Sequence, residues 1–413
     1  MRIVCVGGGP ATLYFAISAK LRDAGHEITV IERDPPGATY GLGVVYWDDL
    51  LDMLYGNDME SARELRAASI LWQEQEIRMR GTDTAYFGGY GYSTTRATLL
   101  DVLTRRAREL GVDVEHNREI ATPADFSAIA DADLVVAGDG ANSRVRQLHS
   151  TQFGSRVKVG GNPYIWLGTD KVFDSFIFAF EGTPAGWIWF HAYPSSPGIS
   201  TCIVECTEQT WHALGLDACS DSDGLRQLEK IFAGALDGHS LISQSRGQSA
   251  RWLRFVEVSN ETWHHDNIVL IGDAAHTTHF TIGSGTRLAM MDSMGLAHCL
   301  FEHDDLDLAL KTFDERSRES LRQVSAAART SKAWYENVDR YATGRNAVDL
   351  SYAMGVRSGY QAPWRYQTHL ISQNPVWRRV RRHMATGERW VLARRRGEPL
   401  ARRSRVPALP PTS

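Results

Sequence analysis

The densest group of chemically capable side chains lies in residues 272–286, GDAAHTTHFTIGSGT. It holds one aspartate, two histidines, five hydroxyl-bearing residues and three glycines in fifteen positions. Carboxylate and imidazole groups at this density are typical of a catalytic or metal centre. Glycines and hydroxyl groups are instead typical of a loop that wraps closely around a large ligand. These two interpretations predict different chemistry, and the other motifs distinguish them.

A glycine-rich turn, GGGPAT at residues 7–12, stands between a predicted strand and a predicted helix. Gly7 and Gly9 let backbone N–H groups approach a dinucleotide pyrophosphate, and the start of the helix adds a favourable dipole. Thr12 stands where the G-x-G-x-x-G pattern has its third glycine. Glu32 ends the next strand about 20 residues on, where a carboxylate accepts the hydroxyl groups of an adenosine ribose. The turn therefore predicts a dinucleotide site, with a surface role as the alternative for Glu32.

A second segment, DLVVAGDGANSRVR at residues 133–146, also runs from a predicted strand into a turn. An Asp-Gly pair after a strand is ordinary turn chemistry. It does not account for the three-residue spacing from Gly140 to Ser143 and on to Arg146. The segment is therefore a second candidate for ligand contact.

The segment 272–286 follows a third predicted strand, NIVLI. Open α/β sheets bind ligands at the carboxyl ends of their strands, which is where Asp273 stands. The Asp273 carboxylate can accept hydrogen bonds from a polyol chain. Gly283 and Gly285 then lead into a predicted helix, whose first N–H groups face the ligand. The segment thus favours a ligand-wrapping loop over a metal centre.

The elements that must position these turns follow from hydrophobic periodicity. Residues 2–34 form a predicted βαβ unit, and a later helix and strand lead to Asp139. Between about residues 157 and 256, short alternating segments rich in aromatic and β-branched residues predict an antiparallel sheet. Helical patterns dominate from about 285 to 385. The predicted fold class is therefore α/β, with an α+β insert and a helical C-terminal region.

Composition narrows the classes of function. The chain has 413 residues, of which 43% are hydrophobic and 23% charged, and a net charge of -4 that offers no footprint for nucleic acid. Its five scattered cysteines lack metal-ligand spacing and predict free thiols. The sequence shows no signal peptide and no apolar stretch of the roughly 20 residues that span a bilayer. We therefore expect a cytoplasmic protein without a membrane or nucleic-acid partner.

The segment from Val376 to Arg405 contains eleven arginines and two acidic residues. One interpretation is a solvated helix followed by a frayed tail. The other is a basic surface for an acidic or phosphate-bearing partner.

Together, the glycine turn, D-G-x-x-S-x-x-R and G-D-A-A-H-x6-G-x-G follow one another across residues 1–300. In this combination the chain resembles the group A aromatic flavoprotein monooxygenases, whose fold is that of p-hydroxybenzoate hydroxylase. The resemblance implies FAD as cofactor, NADPH or NADH as electron donor and O₂ as co-substrate. It also implies a Rossmann-like FAD-binding domain formed by 1–70, 90–156 and 257–325. An antiparallel-sheet substrate domain at 157–256, a helical region at 326–385 and an Arg/Pro-rich tail at 386–413 complete the predicted division.

The same resemblance assigns the cofactor contacts. Arg96 occupies the place of the family's flavin-contacting arginine, with a surface arginine as the alternative. The predicted cofactor-binding residues are Gly7, Gly9, Pro10, Ala11, Thr12, Glu32, Arg33, Gly43, Arg96, Asp139, Asp273, Gly283, Ser284, Gly285 and Thr286.

Where most members of the family have prolines after the G-D-A-A-H histidine, this chain has His279 and Phe280. These two residues and GLGVVYWDDLL at 41–51 resemble the salicylyl-CoA and anthraniloyl-CoA 5-hydroxylases, while the middle sheet also resembles the tryptophan-derivative hydroxylase of violacein biosynthesis. His279 is the first candidate for substrate contact, and the alternative is a role in loop structure, which is expected of His276. The further candidates are His191 and Tyr193 for catalysis, and Phe280, Trp166 and Trp189 for substrate binding, although aromatic stripes on strands are more often core.

The resemblance implies that NAD(P)H reduces FAD and that a flavin C4a-hydroperoxide then hydroxylates an electron-rich ring. We expect 5-hydroxylation of an anthraniloyl or salicyloyl thioester, carried by CoA or an acyl carrier protein, either of which suits the arginine-rich segment. One alternative is hydroxylation of a free indole or tryptophan-derived substrate. Another is a non-catalytic binding protein with the same fold, against which the intact flavin-side glycines and Asp273 argue.

Overall fold

A computed structural model of the chain describes residues 1–38, 42–245, 248–357 and 363–398. The strands are β1 (Arg2–Val6), β2 (Glu27–Ile31), β3 (Gly43–Tyr46), β4 (Ile70–Trp72), β5 (Gln75–Met79), β6 (Ala85–Tyr86), β7 (Gly91–Thr95), β8 (Asp113–Glu115), β9 (Leu134–Ala137), β10 (Arg156–Thr169), β11 (Phe176–Thr183), β12 (Gly186–Ser196), β13 (Ile199–Cys206), β14 (Leu241–Ile242), β15 (Gln244–Ser245), β16 (Gln248–Ser249), β17 (Trp252–Ser259), β18 (His264–His265) and β19 (Ile268–Leu270).

The helices are α1 (Pro10–Arg22), α2 (Asp48–Asn57), α3 (Met59–Ala67), α4 (Arg96–Glu109), α5 (Pro123–Ser127), α6 (Arg144–Leu148), α7 (Ser150–Phe153), α8 (Glu208–Ala213), α9 (Asp221–Ile231), α10 (Ala233–Leu236), α11 (Gly285–Glu302), α12 (Leu306–Glu336), α13 (Asp339–Ala342), α14 (Ala347–Gly355), α15 (Pro363–Ser372) and α16 (Pro375–Arg395). Short 3₁₀ turns cover Gly272–Ala274 and Phe280–Ile282.

The three cofactor-type turns start at one edge of a six-stranded sheet. Its strand order is β18-β19-β9-β1-β2-β8, and only β18 runs antiparallel to its neighbour. Val6 pairs with Ala137, which in turn pairs with Leu270. The turns after β1, β9 and β19 therefore emerge side by side, as the periodicity of the sequence predicts. The predicted α/β class is confirmed.

A second sheet faces this edge and has the order β14-β10-β13-β12-β11-β5-β6, with β17 also paired to β10. Most of its neighbours are antiparallel, but β5 joins β11 in parallel. Strands β5 and β6 come from residues 75–86, which lie outside the predicted insert at 157–256. A small sheet of β3, β7 and β4 stands beside it. The division into domains stays a prediction.

The arginine-rich helix α16 is held against the rest of the chain by ion pairs. Glu74 is fully buried and accepts hydrogen bonds from Arg378, at 2.8 Å, and from Arg381 and Arg382. At the other end of the helix, the Arg396 guanidinium binds Asp48 at 2.6 Å and also Asp52 and Glu398. Part of the arginine cluster therefore serves the fold itself. The predicted tail begins inside α16 at residue 386, and residues 399–413 lie outside the described part.

Within the described ranges, no helix is both long and apolar enough to cross a membrane. The five cysteines are unpaired, and four of them are buried.

Candidate cofactor and substrate site

A cavity of about 840 Å³ lies between the turns of the parallel sheet and the face of the antiparallel sheet. Predicted site residues that line it are Gly9, Pro10, Ala11, Gly43, Arg96, Trp166, His191, Tyr193, Asp273, Phe280, Gly283, Gly285 and Thr286. Predicted residues that are not part of its lining are Gly7, Thr12, Glu32, Arg33, Asp139, Trp189, His279 and Ser284. One cavity therefore combines the nucleotide-type turns with the aromatic residues of the inserted sheet.

The glycine turn is packed against the turn after β9. Gly7 has a φ of +98°, and a Cβ there would stand 2.8 Å from the backbone of Gly138 and Asp139. Thr12 is fully buried, and its methyl group occupies the space that a side chain at residue 138 would need. The Thr12 hydroxyl donates to the Gly7 carbonyl. Gly138 thus supplies the close helix–sheet approach that the third glycine of the pattern would otherwise provide.

Glu32 follows β2 and lies beside the turn. Its carboxylate accepts the N–H of Gly8 at 2.5 Å and the N–H of Asp34 at 2.8 Å. These bonds hold the carboxylate next to the first helix, and each oxygen keeps a further lone pair for a ligand hydroxyl. Arg33 is exposed and pairs with Asp34 at 3.6 Å, away from the cavity lining.

The second motif joins two of the three turns. Asp139 accepts the N–H of Arg144 at 2.6 Å, and Ser143 caps the following helix by accepting the N–H of Arg146 at 3.0 Å. The buried Arg146 side chain donates to the carbonyls of Ala141 and, at 3.0 Å, Ala274. The three-residue spacing therefore has a structural reason. The other oxygen of Asp139 is buried with no hydrogen-bond partner in the described chain.

Asp273 and Arg96 provide opposite charges on the cofactor side of the cavity. Arg96 begins α4, and Asp273 lies in the 3₁₀ turn after β19. The Asp273 side chain reaches the solvent of the cavity, but the surrounding walls desolvate it and raise its pKa, while Arg96 acts in the opposite direction. The pair can hold polar groups of a ligand without leaving an excess charge in the cavity.

Behind Asp273, His276 fastens the loop to α11. Its Nε2 lies 2.9 Å from Asp292, which also accepts the N–H of Gly272, and its ring stacks on Trp263. The Asp292 carboxylate, opposed by the desolvation of the ring, raises the pKa of His276. His276 therefore serves loop structure, as expected, through a side-chain partner. Among the described residues, no cluster of three or more His, Cys, Asp or Glu could hold a metal ion.

The N-terminus of α11 faces the cavity without a side-chain cap. Gly283 has a φ of +64°, and a Cβ there would lie 2.8 Å from Trp47. Ser284 makes no capping hydrogen bond, so the first N–H groups of this 18-residue helix are available to a ligand. The glycine cradle and the uncapped helix fit the phosphates and flat ring of FAD, and the Asp273 carboxylate fits its hydroxyl groups.

The opposite part of the cavity is a slot with aromatic walls, centred on His191. The ring of His191 lies 4.9 Å from Phe178 and 6.4 Å from Phe280, and Phe280 contacts Tyr164 at 4.7 Å. Burial lowers the pKa of His191 to about 3, and both His279 and Arg357 contribute in the same direction. The imidazole is therefore neutral at physiological pH. Its Nε2 has no partner within the described chain.

His279 is turned to the other side of the same loop. It stacks on Phe280 at 4.4 Å, hydrogen-bonds Thr281 at 2.9 Å and lines a separate cavity of about 800 Å³ beside α12. Burial lowers its pKa to about 3. The structure therefore brings His191 and Phe280 into the main cavity but not His279, the first candidate from the sequence.

The two tryptophan candidates and Tyr193 have different surroundings. Trp166 lines the cavity, and its buried indole N–H has no partner in the described chain. Trp189 is fully buried between Phe180 and Tyr335, which makes it part of the core. Tyr193 lines the cavity, but its hydroxyl donates to the Gly43 carbonyl at 2.9 Å and so positions β3.

Sequence reasoning missed four residues of the slot: Tyr164, Phe178, Phe255 and Arg357. Arg357 follows α14 and donates to Ser331 at 3.0 Å and to the Met354 carbonyl, both of which are neutral partners. Its charge is therefore available to a polar group of a substrate. No local motif marks this residue, although Tyr164 and Phe255 lie in strands whose alternation could have pointed to them.

Sequence comparison matches residues 1–328 to a family described as FAD binding domain. A salicyloyl-CoA 5-hydroxylase from Streptomyces sp is 36% identical, over 91% of this chain and 70% of its own length. A 3-hydroxy-4-methyl-anthranilyl-[aryl-carrier protein] 5-monooxygenase from Streptosporangium sibiricum is also 36% identical, over 88% of this chain and 96% of its own. The protodeoxyviolaceinate monooxygenase of Chromobacterium violaceum is 29% identical, over 82% and 90%.

Structure comparison gives the same fold. The tetrameric form of 2-methyl-3-hydroxypyridine-5-carboxylic acid oxygenase aligns with a TM-score of 0.63 at 22% identity, over 87% of this chain and 98% of that one. P. aeruginosa PqsL in complex with 2-aminobenzoylacetate aligns with a TM-score of 0.66 at 16% identity, over 83% and 98%. At these identities the match describes the fold alone.

Proposed function

The chain belongs to the family of FAD-binding aromatic monooxygenases, and on that basis we propose that it hydroxylates an aromatic ring held as a thioester. The proposed substrate is an anthraniloyl or salicyloyl group on CoA or a carrier protein, and the proposed product carries a new hydroxyl at C5. Two relatives at 36% identity are named for reactions of this kind. The observation that carries the proposal is the single cavity joining the turn at Gly9 and Asp273 to the slot around His191.

The residues of the three turns are assigned to FAD. The N–H groups of the turn at Gly7–Gly9 would face the pyrophosphate, Glu32 the ribose, Asp273 the ribityl chain, and the start of α11 at Gly285 the flavin ring. When bound, FAD supplies the oxygen transfer, with NAD(P)H as reductant and O₂ as co-substrate.

The slot is assigned to the substrate ring. Phe178, Phe280 and Tyr164 give the slot aromatic walls, which exclude water and suit a flat ring. His191, Trp166 and Arg357 supply polar atoms at the edges of the slot. The protein therefore positions the ring and keeps the site dry, and the cofactor carries the difficult step.

The slot favours an amino-substituted ring over a phenol. Among the described lining residues the one carboxylate is Asp273, on the cofactor side, and His191 is neutral with a pKa lowered to about 3. Glu205, whose pKa burial raises to about 8, is not part of the lining. An aniline activates its para carbon, C5 of an anthraniloyl group, without losing a proton, whereas a phenol is activated by a base. We therefore place the anthraniloyl thioester first.

A thioester also needs a way out of the cavity for its carrier. Phe87 and Gly355 line both the main cavity and a groove of about 410 Å³ between α14 and α15. The Phe87 ring packs against Gly355 between the two spaces, and we propose that a long pantetheine arm passes this contact while its aryl group stays in the slot. A free acid would not need this second opening. We further propose a cytoplasmic location, since the five cysteines are unpaired thiols.

The test is a panel of substrates on the FAD-reconstituted protein, with product mass and ring position determined. Anthraniloyl and salicyloyl thioesters should give products heavier by one oxygen, with the hydroxyl at C5. Turnover of a free indole acid alone would replace the thioester assignment. A protein that cannot be reconstituted with FAD would overturn the enzyme proposal.

A further inference from the structure

Helix α16 exposes an apolar stripe on the side opposite its anchoring arginines. Val376, Val380, Met384 and Val391 follow one another at spacings of four, four and seven residues, and so share one face of the helix. Their relative exposures are 67%, 41%, 71% and 45%. The stripe covers about 22 Å of helix, at roughly 1.5 Å per residue. An ordinary surface helix turns its apolar face toward the core, whereas α16 turns this apolar face toward solvent.

Ion pairs on the opposite side of the helix fix this outward orientation of the stripe. Arg378 and Arg382 lie two positions after Val376 and Val380, which is about 200° around the helix. Their guanidinium groups bind the buried Glu74, and Arg396 binds Asp48. The helix cannot rotate to bury the stripe without breaking these buried ion pairs. An apolar stripe held outward in this way marks an interaction surface.

Cationic side chains flank the stripe. Arg379 and Arg395 are exposed, and in the described part of the chain neither has an acidic partner. Arg394 is exposed as well and lies over Trp390 at 5.5 Å, while Trp377 adds an exposed ring near the start of the helix. A complementary partner therefore presents acidic groups around an apolar centre.

The groove beside Gly355 is lined by α15, the helix that directly precedes α16. The groove between α14 and α15 is lined by Trp364, Thr368 and Ser372, and α16 begins three residues after Ser372. At its inner end the groove reaches Gly355 and Phe87, which also line the substrate cavity. A partner seated on α16 would therefore stand where a flexible arm can enter the groove.

From these observations we infer that the outer face of α16 is the docking surface for an acidic aryl carrier protein. Its phosphopantetheine arm runs through the groove at Ser372 and Gly355 into the slot. The inference rests on the proposed thioester function and names the carrier. Free CoA would use the cations but has no use for an apolar stripe of this length, so the stripe favours a protein.

The test compares two substrates that share one arm. The full-length, FAD-loaded enzyme is assayed with anthraniloyl groups on a purified acidic aryl carrier protein and with anthraniloyl-pantetheine, which lacks the protein. Val380→Glu combined with Met384→Glu should raise KM for the carrier-bound substrate at least about ten-fold, equivalent to about 1.4 kcal/mol of docking energy. The KM and kcat for anthraniloyl-pantetheine should stay unchanged. The matched control is Leu308→Glu, an exposed leucine on α12, which should alter neither substrate.

Three outcomes would overturn the inference. One is an equal change of KM for both substrates. Another is a wild-type dimer that the double variant converts to monomers with KM unchanged, which would make the stripe a self-association surface. The third is binding of the wild type, but not the variant, to anionic phospholipid vesicles with KM unchanged.

Failure of the proposed function is a separate result. If the wild type hydroxylates neither thioester, that function fails, and direct titration of the same carrier protein onto the enzyme still tests docking. Binding that the double variant weakens at least about ten-fold supports the surface. An affinity that the variant leaves unchanged overturns it.

Discussion

The methyl group of Thr12 lies 2.7 Å from the position that a Cβ on Gly138 would take. Thr12 lies in the first turn of α1, and Gly138 directly follows the neighbouring strand β9. The motif's missing third glycine is thus replaced by a glycine in the turn after the facing strand. Close helix–sheet packing needs one small residue at this contact, and the chain places it on the opposite side.

This relationship predicts non-additive effects on stability. Gly138→Ala should lower the free energy of unfolding by about 1–3 kcal/mol, because the added methyl overpacks the contact. Thr12→Gly in the same chain should recover part of that loss, since it removes the colliding group. Urea unfolding of the two single variants and the double variant measures the coupling. Strictly additive effects would show that the two residues do not compete for this space.

The ion-pair cluster at Glu74 predicts a second stability effect. Glu74→Gln should lower the free energy of unfolding by about 2–3 kcal/mol, somewhat less than breaking a fully buried pair, because the arginines are partly exposed. Faster amide exchange along α16 should accompany it. Glu388→Gln removes an exposed acid from the same helix and should change stability by less than about 0.5 kcal/mol. Equal effects of the two substitutions would contradict the anchoring role.

His191 in the slot and His279 on the far side of the loop should differ in function. His191→Ala should reduce kcat/KM for the aromatic substrate at least about ten-fold, through lost positioning in the slot, with FAD content unchanged. His279→Ala should change kcat/KM by less than about three-fold, a difference of under 1 kcal/mol. Steady-state kinetics at matched FAD occupancy measures both. A larger loss of kcat/KM for His279→Ala than for His191→Ala would instead make His279, the first candidate from the sequence, the residue that contacts the substrate.

The same histidines predict a loss of stability in acid. Their pKa values are about 3 in the folded chain and about 6.5 when unfolded. Between these values the unfolded chain binds more protons, so stability falls as pH falls below about 6.5. His276 has the opposite sign, because its raised pKa gives stability that is lost as pH rises through it.

At about pH 5, each of the two buried imidazoles should lower the free energy of unfolding by on the order of 1–2 kcal/mol. The variant His279→Gln should therefore lose less stability than the wild type when urea unfolding is repeated at about pH 5 and about pH 7.5. An identical loss in the two proteins would show that His279 titrates normally in the folded chain.

Local patterns predicted the cofactor side of the site better than the substrate side. Gly7, Asp139 and Asp273 follow strands of a parallel sheet, and the carboxyl ends of such strands meet at one edge. The direction of a side chain in an irregular loop has no such rule. The orientation of His279 away from the cavity therefore could not be read from the sequence.

Contacts between residues far apart in the sequence could not be predicted from it either. Glu74 and Arg378 are 304 positions apart, and nothing in the arginine-rich segment indicates that it binds a buried carboxylate. Strand β5 joins the antiparallel sheet from outside the predicted insert, because a strand pairs with whichever sheet edge lies next to it in space, whatever their order in the sequence. Arg357 is a further long-range contact of this kind, because it lines the slot from the end of a C-terminal helix.

The central claim is that the ring is hydroxylated as a thioester. The most direct measurement is the ratio of kcat/KM for anthraniloyl-pantetheine to that for free anthranilate, counted as hydroxylated product from the FAD-loaded enzyme. We expect a ratio of at least about one hundred, equivalent to about 2.7 kcal/mol of transition-state stabilisation that requires the arm. A ratio near one would contradict the account.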